Sequence, residues 1–243
     1  MLPHDRPLSE VEFVAFDLET TGLFPVVDRI VEFGAVRFRL DGRELGTWEQ
    51  LVDPKCLIPP GVTDIHGITD AMVRGQPTLA QSLPGFLHFL GRPQAILLAH
   101  NATFDLGFLN FAAARTGLAL PANSVIDTLD LARTCVRGAP SCRLEDLVVY
   151  LGLAELEDHR ALSDSRLAMA LFTHLVGCLE RLRTVEDLFR GLDHKVAHGC
   201  WCWQRPGGWR LSLSEAPVPG FWGIAALCRQ PPCPPLLAFC ATL

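Results

Sequence analysis

Residues Phe13 to Gly22 read FVAFDLETTG, and this stretch decides both the fold and the chemistry that the sequence predicts. Its first half is apolar, aromatic and β-branched, which is typical of a buried strand. Side chains at i and i+2 share one face of a strand, so Asp17 and Glu19 project together. Phe16 and Leu18 then point the other way, into packing. Two carboxylates on one face repel each other unless a cation joins them, so the pair indicates a metal site. The alternative is that the strand ends at Leu18 and leaves Glu19 solvated in a turn.

The chain around this stretch alternates between strand and helix patterns from about residue 12 to residue 180. The apolar runs predict strands at Val11 to Leu18, Arg29 to Leu40, Trp48 to Val52, Ala95 to Ala99 and Val125-Ile126. Helical spacing predicts helices at Thr78 to Leu90 despite Pro84, Phe104 to Arg115, from Thr128, Leu144 to Leu151 after a Ser141 cap, and Ala161 to Leu182. The turn at Asp41-Gly42 joins two neighbouring strands. We therefore expect a mixed sheet flanked by helices, an α/β architecture.

Two further polar motifs stand at the starts of predicted helices, the first of them directly after a predicted strand. AHNATFD, from Ala99 to Asp105, places Asp105 in the first turn of a helix, where a carboxylate also favours the helix dipole. DHRALSD, from Asp158 to Asp164, places Asp164 at the head of an apolar helix stripe, and a buried Asp without a partner is costly. His159 would stand at or just before that helix. Taken alone, each motif also fits a structural interpretation, a dipole-facing acid or a surface histidine.

The overall charge limits the function classes. Lys plus Arg number 21 and Asp plus Glu number 27, which gives a net charge of −6. This balance argues against a purely electrostatic nucleic-acid binder, since such affinity comes from a basic face. No apolar run approaches the roughly 18 to 20 residues that cross a bilayer, so we expect a cytoplasmic protein with no membrane partner. Nine cysteines at scattered spacings fit reduced thiols better than a disulfide framework.

The composition changes after about residue 198. Residues 200 to 243 hold four of the five tryptophans and seven of the eighteen prolines, with only four charged residues. We predict a catalytic domain over residues 1–185 and an extension of unknown role over 186–243. Four of the extension's thiols could bind zinc, although their spacing departs from paired C-x2-C motifs and free thiols are favoured: Cys200, Cys202, Cys228 and Cys233.

Together the three motifs resemble those of the DEDD exonuclease superfamily, in its histidine-bearing (DEDDh) branch, and most closely the proofreading epsilon subunit of bacterial replicative DNA polymerase. The resemblance rests on FDLETTGL from Phe16, HNATFD from His100 and HRALSD from His159, and it covers about residues 10 to 180. IHGIT from Ile65 and IDTL from Ile126 match further family segments. The implied fold is ribonuclease-H-like, a five-stranded mixed sheet whose first three strands are antiparallel.

The resemblance also implies roles for individual residues. Two divalent ions, Mg²⁺ or Mn²⁺, would be held by Asp17, Glu19, Asp105 and Asp164, with His159 as the general base. All-oxygen ligation suits these ions, and a histidine can accept a proton near neutral pH. The terminal nucleotide would be contacted by Thr20, Leu23 and His66, and Asn101 could also reach the substrate. His100 is a rival base. Three other acids are expected to be hydrogen-bonded or solvated, not ligands: Asp28, Glu32 and Asp127. For Glu32, on the second strand, the alternative is that it points toward the site.

The sequence therefore predicts a metal-dependent exonuclease that removes 5′-mononucleotides from a free 3′ end, with single-stranded DNA as the expected substrate. A DNA polymerase is a candidate partner, because an acidic chain would hold long duplex weakly. One alternative is an exoribonuclease of the same superfamily, since the motifs do not distinguish the sugars. The other is a non-catalytic polymerase-binding adaptor, which would not need five intact polar groups.

Overall fold

The protein is seen in a computed structural model that describes residues 5–92, 94–154, 159–179 and 182–195, with the backbone alone for 191–195. Five strands form one sheet: β1 (Phe13–Thr20), β2 (Ile30–Phe38), β3 (Glu44–Leu51), β4 (Ile96–Ala99) and β5 (Val125–Asp127). A short 3-10 helix, Leu8–Glu10, precedes the first strand. The helices are α1 (Pro60–His66), α2 (Asp70–Val73), α3 (Leu79–Leu90), α4 (Ala102–Thr116), α5 (Thr128–Cys135), α6 (Leu144–Tyr150), α7 (Ala161–Gly177) and α8 (Val185–Lys195).

The strand order is β3-β2-β1-β4-β5. The β1–β2 and β2–β3 pairs are antiparallel, whereas β4 runs parallel to β1 and β5 runs parallel to β4. The predicted mixed sheet with three leading antiparallel strands is confirmed. This order makes β1 the central strand, so its carboxyl end lies beside the end of β4.

Each face of the sheet packs against its own set of helices. Phe13 and Ala15 of β1 belong to a core formed with helices α5 to α8, and the rings of Phe13 and Phe172 of α7 lie 5.2 Å apart. Phe16 and Leu18 lie on the opposite face, in a core formed with α3 and α4. The alternation predicted for β1 is therefore confirmed, and it directs Asp17 and Glu19 to the α7 side of the sheet.

Gly34 of β2 allows helix α7 to begin directly on the sheet. A Cβ atom at this position would lie 2.0 Å from the carbonyl carbon of Ala161, the first residue of α7. Only a residue without a side chain permits that approach. Gly34 is also the register partner of Asp17, so the close contact holds the start of α7 over the first acidic residue.

Several boundaries differ from the sequence-based expectations. Strand β1 extends to Thr20, so the alternative that placed Glu19 in a turn is wrong: Glu19 pairs with Glu32 in the β1–β2 ladder. Ser141 does not cap α6, whose N-cap residue is Arg143; its hydroxyl bonds the Asp146 carboxylate instead. Helix α7 ends at Gly177, short of Leu182.

Helix α8 begins at the end of the predicted catalytic domain and continues past residue 186. Val185 and Leu188 of this helix are buried in the α7-side core. The division into 1–185 and 186–243 stays a prediction. The proposed cysteine cluster of the extension lies outside the described residues. No helix within the described ranges is long and apolar enough to cross a bilayer.

Candidate active site

Three carboxylates converge where β1 meets the beginning of α7. Asp17 and Glu19 come from β1, and Asp164 comes from the first turn of α7. One oxygen from each of the three lies within 4.8 Å of the others. A divalent cation is the ligand that such a spacing accommodates, because its oxygen ligands surround a single centre.

The fourth predicted acid, Asp105, approaches the same cluster from α4. Its side chain is 1% exposed, and its Oδ1 atom is buried with no hydrogen-bond partner among the described residues. Asp105 is not one of the three carboxylates whose oxygens lie within 4.8 Å of one another, but its charge raises the pKa of Asp17. A buried carboxylate oxygen that lacks a partner is costly unless a cation or a proton satisfies it.

The electrostatics of the cluster favour protonation or a bound cation. Burial, followed by the charges of Asp105 and Glu19, raises the pKa of Asp17 well above its usual value. Burial and the charge of Asp164 raise the pKa of Glu19 to about 8. The pKa of Asp164 is raised to about 6, again chiefly by burial. All four carboxylates cannot be ionised near neutral pH without added positive charge. The donor set, all oxygen and acidic, fits Mg²⁺ or Mn²⁺.

Asp127, at the end of β5, fixes the helix that carries Asp105. Its two carboxylate oxygens accept hydrogen bonds from the backbone amides of Asn101 at 3.0 Å and Ala102 at 2.9 Å. It also caps α5 by accepting from the Leu129 amide at 2.9 Å. Asn101 has φ +64°, a left-handed turn that Asn tolerates better than most residues. This sharp turn between β4 and α4 puts Asp105 on the first helical turn.

A buried ion pair that the sequence analysis missed fixes the start of α7. Glu32 of β2 has a fully buried side chain, and its carboxylate accepts hydrogen bonds from Arg160 Nε at 3.0 and 3.1 Å and from Arg160 Nη2. It also accepts from the Ala161 amide at 3.0 Å. Arg160 separates His159 from α7, so this contact anchors the third motif to the strand beside β1. The expectation that Glu32 is hydrogen-bonded is confirmed, as it is for Asp28, which accepts from the Phe24 amide.

The structure separates the two candidate bases. The His159 side chain is 42% exposed and its Nδ1 lies 3.5 Å from Glu145 Oε1. His159 immediately precedes Arg160, the N-cap residue of α7, five residues before Asp164. His100 has both ring nitrogens occupied, Nδ1 by Thr128 Oγ1 at 3.0 Å and Nε2 by the Cys142 carbonyl oxygen at 2.9 Å. Burial lowers the pKa of His100 to about 4. His100 is therefore a structural histidine, and His159 is the accessible one.

The four residues predicted to contact substrate are placed differently from one another. Leu23 is 69% exposed and Asn101 is exposed, next to the ends of β1 and β4. Thr20 is buried and its hydroxyl donates to the Gly22 carbonyl oxygen at 2.6 Å. His66 is buried as well, and its Nδ1 accepts from the Ile68 amide at 3.0 Å. Burial lowers the pKa of His66. Leu23 and Asn101 are thus open to a ligand. Thr20 and His66 are buried, and His66 Nε2 has no hydrogen-bond partner among the described residues.

Residues 14–172 match the model of the RNase_T family, which is described as exonuclease. The chain belongs to the RNase_T exonuclease family. The matched segment of this exonuclease contains the whole acidic cluster and His159. Membership confirms the superfamily predicted from the three motifs.

The relatives of this RNase_T exonuclease include polymerases and separate nucleases. It is 38% identical over 202 residues to the PolC-type DNA polymerase III of Halalkalibacterium halodurans, an alignment covering 82% of this chain and 14% of the polymerase. The chain thus corresponds to a small part of that relative's length. A solved structure of exonuclease X in complex with 5′ overhanging duplex DNA is 30% identical, with a TM-score of 0.53, and the match covers 69% of this chain and 91% of that one.

Exonuclease I of E. coli in complex with a dT13 oligonucleotide gives a TM-score of 0.63 at 25% identity, with 68% of this chain and 41% of that chain covered. This likeness confirms the ribonuclease-H-like fold class that the sequence predicted.

Proposed function

We propose that this chain is a metal-dependent 3′–5′ exonuclease that hydrolyses terminal phosphodiesters of single-stranded or frayed DNA and releases 5′-mononucleotides. The observation that supports this proposal best is the acidic cluster. Three carboxylates lie within 4.8 Å of one another, and Asp105 adds a buried oxygen without a partner among the described residues. The cluster lies at the carboxyl end of β1, beside the exposed Leu23. Two similar solved proteins, exonuclease X and exonuclease I, were observed with DNA.

In this proposal Asp17, Glu19, Asp105 and Asp164 hold two Mg²⁺ or Mn²⁺ ions. When bound, such ions activate water on one side of the phosphorus and stabilise the leaving oxygen on the other. The protein's own contribution is to keep four carboxylates together against their mutual repulsion. Asp164 is held in the cluster by the contact between Gly34 and Ala161 and by the Glu32–Arg160 ion pair. Asp105 is held there by the Asp127 hydrogen bonds.

His159 is proposed as the general base. A water oxygen attacks the terminal phosphorus, the bond from that phosphorus to the 3′ oxygen of the penultimate nucleotide breaks, and the water proton passes to the imidazole. The leaving 3′ oxygen takes a proton from solvent. The products are a 5′-mononucleotide and a strand shortened by one with a new 3′-OH. Glu145 Oε1 lies 3.5 Å from His159 Nδ1, and in this proposal it would orient the ring and leave Nε2 for the water.

The end of the strand is proposed to lie against Leu23 and Asn101, with Thr20 and His66 supporting the pocket from within. A DNA polymerase that delivers frayed ends is the proposed partner, because the PolC-type relative carries the similar segment in a much longer chain. The net charge of −6 agrees with a need for such delivery, since it provides little general attraction for duplex.

The decisive experiment incubates the protein with 5′-labelled single-stranded DNA and RNA of equal sequence, with Mg²⁺, with Mn²⁺ or with a chelator. We expect a stepwise ladder on DNA that disappears with the chelator and in the Asp17→Asn variant. Faster degradation of RNA would make the protein an exoribonuclease. The non-catalytic adaptor would be favoured by two results together: no cleavage under any condition, and the same Tm in the presence of metal for Asp17→Asn and the wild type.

A further inference from the structure

A second charged site lies beyond the acidic cluster, at the far end of α4. A cavity of about 310 Å³ opens between the β1–β2 connection, the segment after β3 and the last turn of α4. Its charged lining residues are Arg29, Asp53, Lys55 and Arg115. Three of these four are cations, in a protein whose net charge is −6.

The acidic residue that lines this cavity is already paired with one of its cations. Asp53 accepts a hydrogen bond from the Lys55 amide at 3.0 Å and from Lys55 Nζ at 2.7 Å. Within the described ranges neither Arg29 nor Arg115 forms an ion pair. Instead, Arg29 Nη1 donates to the carbonyl oxygens of Val27 at 2.6 Å and Asp28 at 2.9 Å, and Arg115 Nη2 donates to that of Val26 at 2.7 Å.

The two arginines are therefore held by the same connection and remain uncompensated by an anion. Burial, followed by the nearby charge of Arg29, lowers the pKa of Arg115. Each guanidinium has five N–H donors in a fixed planar fork, and the carbonyl contacts use only some of them. A phosphate group is the ligand that matches two such forks, since its oxygens accept charge-assisted hydrogen bonds from both.

The cavity lies at a defined distance from the acidic cluster. Asp105 is on the first turn of α4 and Arg115 is on the last, ten residues later, which corresponds to about 15 Å along the helix axis. The β1–β2 connection follows the helix between them: a Cβ atom on Gly107 would lie 3.4 Å from Pro25 Cγ. At about 3.4 Å per stacked nucleotide of one strand, a separation of about 15 Å corresponds to roughly four nucleotides.

We propose that Arg29 and Arg115 bind a backbone phosphate of the substrate strand, roughly four to five nucleotides from the 3′ end that occupies the acidic cluster. This inference rests on the proposed function and adds a length requirement to it. Strands long enough to reach both sites gain affinity, whereas a di- or trinucleotide reaches only the acidic cluster. The contact is with the backbone, so it is independent of sequence.

The test measures binding separately from cleavage. Fluorescein-labelled dT3 and dT12 are titrated in the presence of Mg²⁺ into the Asp17→Asn protein, where the strand is not consumed, and into the same protein with Arg29→Gln, Arg115→Gln or both. We expect Kd for dT12 to rise about 3- to 30-fold for each arginine removed, while Kd for dT3 stays unchanged. The slope of log Kd against log salt should fall by about 0.7 for the lost phosphate.

Arg190→Gln is the matched control, because Arg190 is an exposed arginine of α8 paired with Glu186, and its loss changes the net charge by as much as each single replacement does. A double variant that binds dT12 as the Arg190→Gln control does would overturn the proposal. An equal loss of affinity for dT3 and dT12 would also overturn it, because it would place both arginines at the strand terminus. In parallel, the otherwise wild-type protein is assayed for cleavage of dT12. If the arginine variants lose affinity for dT12 alone and no cleavage occurs, the proposed function is refuted and the phosphate site is supported. If dT12 is cleaved but the double variant binds it with unaltered Kd, the proposed function is supported and the phosphate site is refuted.

Discussion

Replacing Arg160 by Met is expected to destabilise the folded protein strongly, because it leaves the Glu32 carboxylate buried without its cation. Glu32 has 0% side-chain exposure, and after the change only the Ala161 amide, at 3.0 Å, would still donate to it. Removing one partner of a buried pair costs about 3–5 kcal/mol. Since the Arg160 side chain is itself 29% exposed, water can reach part of the vacated space and the lower end of that range applies. At about 2–4 °C per kcal/mol for a chain of this size, Tm should fall by roughly 6–12 °C.

Thermal unfolding followed by circular dichroism in a chelator measures this change without any contribution from metal. Glu49→Gln is the matched control: Glu49 lies 3.5 Å from the same guanidinium but is 51% exposed, so its loss should cost less than about 1 kcal/mol. The double variant Glu32→Leu/Arg160→Met removes both charges and should recover most of the lost stability. If Arg160→Met unfolds within 2 °C of the wild type, or if the double variant is no more stable than the single one, the ion pair does not hold α7 on the sheet.

Three further predictions concern the acidic cluster and the base. Asp17→Asn should abolish turnover yet raise the Tm of the metal-free protein by relieving repulsion, and saturating Mn²⁺ should raise the wild-type Tm; a wild-type melting temperature that ignores metal would contradict the site. The pKa of Glu19 is raised to about 8 in the folded protein from an ordinary 4.5, so between these pH values the folded state binds a proton that the unfolded state has lost. The metal-free wild type should therefore lose stability as pH rises from about 4.5 to 8, and Glu19→Gln should reduce this loss in melting curves. Parallel dependence of Tm on pH in the two proteins would refute this prediction. His159→Ala should lower kcat by roughly 10²- to 10⁴-fold while retaining the Mn²⁺-dependent rise in Tm, and near-wild-type turnover would remove His159 as the base.

The alternation of β1 could be predicted from sequence because a strand has a period of two and its apolar residues mark the buried faces. Phe16 and Leu18 belong to the α3/α4 core, so Asp17 and Glu19 had to share the other face. The end of the strand was harder to predict. Glu19 remains in the strand because its backbone pairs with that of Glu32 on β2. This register depends on β2, so no local sequence pattern around Glu19 reveals it.

The Glu32–Arg160 pair was missed for a related reason. The two residues are 128 positions apart, and their meeting depends on where α7 begins on the sheet. One sequence signal could have found it: Gly34, a glycine inside an apolar strand, often marks close approach of another backbone. The two histidines likewise could not be separated by local sequence alone, because His100 is distinguished by contacts with Thr128 and Cys142, 28 and 42 residues away.

Asp127 holds the Asp105 side of the acidic cluster in a fixed position. A single carboxylate joins the amino-terminal ends of α4 and α5, and His100 ties the first residue of α5 to the segment before α6. A displacement of either helix would therefore be transmitted to Asp105. His159, by contrast, has one long contact among the described residues, with Glu145, and its side chain is 42% exposed. In the proposed reaction we therefore expect any adjustment to different strand ends to occur on the His159 side, with the Asp105 side as the fixed reference point for each new terminus.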